Sequence, residues 1–166
     1  MYNHRKIILL AIACLTALYF IENLLHEKLA PFEIAGYKIL PAGLFLFGSI
    51  ALTVYLTLRT VFKKDPTLGF PYLVIMGVVV VFLSELIFQT YVQATWTGDE
   101  AADRVFFFFR NLLIMPLLGM VVALQVAVDL KYKNRLLSTA VSIGTTAIGF
   151  IVLIKMDIIN LDGLSL

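Results

Sequence analysis

Five stretches of this 166-residue chain stay apolar for about twenty residues at a time, and that run length limits the fold more than any other feature. A helix rises about 1.5 Å per residue, so about 20 residues cross a hydrocarbon core roughly 30 Å thick. Hydrophobic residues make up 61% of the chain and charged residues 14%, with a mean hydropathy of +0.95. A water-soluble domain of this length could not hide so much apolar surface. Lipid offers no hydrogen bonds to peptide groups, and the runs lack the alternation of a membrane barrel, so the spans are expected to be helical. The expected fold class is all-α: one polytopic integral membrane bundle over residues 1–166. Its five transmembrane helices fall at about 7–25, 40–62, 70–94, 105–128 and 136–154.

The first run follows His4, Arg5 and Lys6 as a signal peptide would, with LAIAC ending at Cys14. Apolar sequence continues through Ile21 and no cleavage pattern follows, so the segment reads as a retained anchor. Cys14 is the one cysteine, which excludes an intramolecular disulfide framework, and it is expected to pack as a small apolar residue. The connections HEKLAPFEIAGYK, KKDPTLG, TWTGDEAAD and KYKNR are too short for a soluble catalytic domain. The first has room for a small hairpin or an interfacial turn.

Basic loops resist translocation, so the positions of lysine and arginine matter more than the net charge of +2. Arg5 and Lys6 precede the first span; Arg59, Lys63 and Lys64 lie between the second and third; Lys131, Lys133 and Arg135 lie between the fourth and fifth. These groups share one side, the cytoplasm. Glu27, Glu33, Asp99, Glu100, Asp103, Asp157 and Asp162 fall on the other, with Tyr37, Tyr91 and Trp96 suited to its aromatic belt. The amino terminus is therefore expected inside and the carboxy terminus outside, in the inner cell (plasma) membrane. The lipid bilayer is the expected partner, and no basic tail points to nucleic acid. No internal repeat divides the chain into inverted halves.

The stretch FFFFRNLLIMPLL, residues 106–118, sets a permanent charge among phenylalanines. Arg110 and Asn111 lie early in the fourth span. On the antiparallel third span Glu85, Gln89 and Gln93 recur every four residues and share a face. The first span adds Tyr19, Glu22, Asn23 and His26 near the same leaflet, with Glu22 and His26 one turn apart. If the faces converge they form an outer-leaflet cluster of Glu22, His26, Glu85, Gln89, Arg110 and Asn111. A charge among lipid tails costs several kcal/mol on some scales, about 3 or more, which pairing inside the bundle relieves. A Glu85–Arg110 pair that fixes helix register is the structural reading. A site for a ligand, a proton or a lipid headgroup is the functional one, and a lipid-facing Arg110 that snorkels is the third.

Two histidines and one cysteine supply no convincing metal set, and no cofactor motif is present. No nucleophile, base and orienting group fall together, and no phosphate loop appears, so no catalytic residues are assigned. The fifth span carries small residues at four-residue spacing, among them Ala140, Gly144 and Gly149, a helix-packing face for this chain, other membrane subunits or a second copy in a homo-oligomer. Pro116 is expected to kink the fourth span. The leading expectation is a small non-enzymatic membrane protein, an accessory or assembly subunit of a membrane complex. The alternative is a small transporter, channel or lipid- or ion-binding protein built around Glu85 and Arg110. A membrane-embedded enzyme is third.

Overall fold

The computed structural model describes residues 4–34, 37–95, 101–132, 135–155 and 159–160. Five α-helices dominate: α1 (His4–Lys28), α2 (Pro41–Lys64), α3 (Phe70–Thr95), α4 (Ala101–Tyr132) and α5 (Arg135–Lys155). Each is longer than its expected span, by about one residue in α2 and α3 and by about eight in α4, because a helix does not have to stop where the hydrocarbon does. Four of them are long and apolar enough to cross a membrane: His4–His26, Pro41–Lys64, Phe70–Thr95 and Phe108–Tyr132.

Between α1 and α2 the chain forms a hairpin of β1 (Phe32–Ile34) and β2 (Tyr37–Ile39), a small addition to the helical class. The register sets Glu33 opposite Lys38. Strand β3 (Ile159–Asn160), beyond α5, joins β2 antiparallel with Ile39 opposite Ile159. The α1–α2 connection and the far end of α5 therefore meet at one end of the bundle. Pro41 opens α2, where a missing amide hydrogen costs nothing. Helix α4 continues through Pro116.

The opposite end is tied by polar contacts. His4 Nε2 lies 3.7 Å from Asp65 Oδ2. Asp65 accepts hydrogen bonds from the hydroxyl and the backbone amide of Thr67. Those bonds, the hydroxyl's first, and His4 hold its carboxyl below the usual carboxylate range despite some desolvation. Lys131 Nζ donates to the carbonyl oxygen of Pro66 at 3.1 Å and sits 5.3 Å from the centre of the Phe62 ring. The start of α1, the α2–α3 turn and the end of α4 thus share one end, the grouping that the basic residues require.

The outer face of the bundle is apolar, unlike that of a water-soluble domain, and a few polar side chains are buried within an apolar core. Leu9, Ile75 and Leu113 are 65%, 60% and 68% exposed, while Ser84, Glu85 and Gln89 are buried. Apolar outer faces of this extent are what lipid solvates. The core follows helical periodicity. On α2, Ile50, Val54, Leu58 and Val61 fall on one buried stripe; on α3, Leu73, Met76, Gly77, Val80, Val81, Ser84, Glu85, Phe88 and Gln89 form another. The Ser84 hydroxyl bonds chiefly to the Val80 carbonyl at 2.7 Å and lies 3.3 Å from that of Ile12, a polar touch between α3 and α1.

Helices α3 and α4 pack most extensively, and glycine makes their approach possible. A Cβ on Gly77 would lie 2.5 Å from that of Ala123 and 3.2 Å from Val54 Cγ1; one on Gly119 would lie 2.7 Å from Val81 Cγ2. The fifth helix is different. Gly149 is buried, and a Cβ on it would lie 3.6 Å from the Phe47 ring; the Thr145 hydroxyl donates to Gln125 Oε1 of α4 at 3.1 Å. Ala140 and Gly144 face outward, with nothing within 4 Å of a Cβ on Gly144. Cys14 is exposed on the outer face of α1 instead of packing in the core. Trp96, Asp99, Glu100, Lys133, Asp157 and Asp162, and the side chains of Glu27, Glu33, Tyr37, Asp103, Arg135, Ser138 and Ser142, lie outside what is described.

Candidate functional site

Four helices leave a cavity of about 400 Å³ between them at the end that carries the hairpin. Helix α1 contributes Tyr19, Glu22, Asn23 and His26; these positions, separated by three, four and seven residues, fall on one helical face. Helix α2 brings Gly43 and Leu46 in its first turns, with Leu40 just before it. Helix α3 adds Glu85, Phe88, Gln89 and Val92, and α4 adds Arg110, Asn111 and Met115. All six residues that the sequence singles out, Glu22, His26, Glu85, Gln89, Arg110 and Asn111, line this one space.

The cavity is graded in depth. Asn23 and His26 are exposed and form its mouth, Glu22 is half-buried behind them, and Tyr19, Glu85 and Gln89 are buried at its floor. The volume suits a small molecule. An aromatic ladder supports the wall: Tyr19 meets Phe88 edge to face at 5.7 Å, Phe20 meets Phe88 at 5.3 Å, and Phe20 meets Tyr91 at 4.8 Å.

Glu85 accepts a hydrogen bond from Gln89 Nε2 at 2.7 Å, one turn further along its own helix. It makes no ion pair with Arg110 within 4.0 Å; Arg110 faces the same space and is engaged by other contacts. Glu22, a second carboxyl group, lines the same cavity. Among the described residues, the hydroxyl of Tyr19 and Oδ1 of Asn111 are buried without a hydrogen-bond partner. Tyr19 is 1% exposed, so the bulk solvent does not satisfy it. Such atoms are rare in folded proteins.

No group of three histidine, cysteine or acidic side chains suited to a metal occurs among the described residues. Tyr19, Phe88 and Met115 are lining residues that sequence reasoning did not place in the cluster. Tyr19 was the accessible one, since it precedes Glu22 by three residues on the face already identified. Met115 and Phe88 look like any apolar core position. The chain matches no family model, no curated protein and no solved structure.

Proposed function

We propose that the protein is a five-span membrane protein that binds a small amphipathic molecule in the cavity between α1, α2, α3 and α4. The observation that carries this reading is the convergence of polar side chains from three helices on one space with an exposed mouth and a buried polar floor. A purely structural pair would fill its surroundings with side chains; Glu85 and Arg110 instead flank a space large enough for a ligand. Polar groups at this depth are costly to keep among apolar neighbours unless a binding role or tight pairing retains them.

The fifth span and the orientation belong to the same reading. Pairing of β3 with β2 supports α5 traversing the whole bundle, since α5 follows an α4 that ends at the His4–Asp65 end. With the basic loops in the cytoplasm, the cavity opens toward the outer face of the inner membrane. The protein is then a carrier or receptor for its ligand, with no catalytic step required.

The test is native mass spectrometry of the full chain released from mildly solubilised membranes. Wild type is expected to carry an adduct of small-molecule mass, and Val92→Trp, which fills the cavity from α3, is expected to lose it while keeping its helical content. An adduct of equal abundance in both would overturn the assignment. A second reading, an accessory subunit docked through α5, is favoured by the outward-facing Ala140 and Gly144. It expects larger partners in the same spectra.

A further inference from the structure

The floor of the cavity carries information about the ligand's charge. We infer that the site takes a small organic cation, an ammonium on an apolar or aromatic body; this rests on the cavity being a binding site at all. Two carboxylates, Glu22 and Glu85, face the space together with one guanidinium, Arg110, which other contacts already engage. His26 stands at the exposed mouth, where water screens it. Counted formally over the described lining residues, with both carboxyl groups ionised, the space carries one negative charge in excess, and one positive charge on the ligand brings it to neutrality. In a poorly hydrated space that balance matters more than it would in water.

The hydrogen-bonding groups agree with the charges. Glu85 takes one bond from Gln89, and a carboxylate has lone pairs for several donors. Asn111 Oδ1 is an acceptor without a donor among the described residues, and the Tyr19 hydroxyl, equally without a partner, accepts as readily as it donates. An ammonium brings up to three N–H donors and no acceptor, which suits these three oxygen-bearing groups. The rings of Tyr19 and Phe88, held edge to face at 5.7 Å, offer π surfaces to the same cation. The apolar walls, Leu46, Val92 and Met115, suit its body. A metal ion is a poorer occupant, because three ligating side chains do not come together among the described residues.

Three probes of one shape and different charge separate the outcomes: phenethylammonium, phenethyl alcohol and 3-phenylpropanoate, added to the full chain in detergent. Binding is read by calorimetry and by the shift in Tm. Phenethylammonium is expected to raise the Tm and the other two to leave it unchanged; Glu85→Gln and, separately, Glu22→Gln are expected to weaken ammonium binding by about tenfold or more, since a charge-assisted bond is lost. Two variants guard against one of them failing to fold. Equal binding of all three probes would overturn the cation assignment and leave an apolar site. Binding of the carboxylate alone, lost in Arg110→Gln, would overturn it in favour of an anion. If no probe binds while wild type still carries its Val92-sensitive adduct, the cation class is wrong and the binding reading survives; if the adduct is missing too, both fall.

Discussion

At the scale of single residues, the polar floor is organised by Glu85 and Gln89. Their four-residue spacing is legible in the sequence, but the sequence pointed to Arg110 as the partner of Glu85, and the 2.7 Å bond joins Glu85 to Gln89 instead. The reason is local: residues one turn apart on a helix are neighbours by construction, whereas a pair across two helices depends on how they are rotated. Gln89→Leu is expected to cost about 1–3 kcal/mol, because it leaves a buried carboxylate short of a donor. Glu85→Leu strands the amide in turn, and the double variant is expected to recover part of the loss. Glu85→Leu with Arg110→Leu should be closer to additive. Thermal unfolding of the two double-mutant cycles in detergent checks this, and a stronger coupling in the Glu85–Arg110 cycle would contradict the observed geometry.

At the scale of elements, the tightest seam is not the one that small residues on α5 advertised. Helices α3 and α4 meet at Gly77 against Ala123 and at Val81 against Gly119. The fourth span does carry Gly119 and Ala123 at four-residue spacing, the pattern that lets helices approach, so half of this seam was readable. Gly77 stands alone among valines, and nothing in its surroundings identifies the face it serves. Gly77→Val is expected to destabilise the bundle by about 1–3 kcal/mol, since Ala123 Cβ, fixed to its backbone, has no rotamer with which to yield. Gly144→Ala meets open space and is expected to leave the stability of the isolated chain unchanged or slightly raised. Melting curves of the two variants decide it; equal losses would mean that α5 packs against α2 or α4 more closely than the structure has it.

At the scale of the whole molecule, the sheet and the polar ties sort the connections into two ends. His4, the turn at 65–69 and Lys131 gather at one, and β1, β2 and β3 gather at the other with the cavity mouth. A reporter active only outside the cytoplasm is expected to work when fused after Leu166 and to fail when inserted beside Lys64. Activity at Lys64 with silence at Leu166 would invert the orientation, and silence at both would remove the fifth crossing. In either case the cavity would have to be reassigned to a different face or a different access route.

The sequence by itself determined the solvent, the helical class and the position of the turns, because run length and apolar content are set residue by residue and lipid leaves the backbone few alternatives. It also determined which helical faces are polar, since Glu85 and Gln89 on α3 and Glu22 and His26 on α1 repeat at the helical period. Only the tertiary structure decided that these faces look onto one cavity, that Glu85 bonds to Gln89, and that α3 and α4 close on Gly77 and Gly119. Those facts depend on how each helix is rotated about its axis and how near its neighbours come. In lipid, where the hydrophobic effect does not choose among faces, that rotation is set by the fit of small and large side chains across all the helices together.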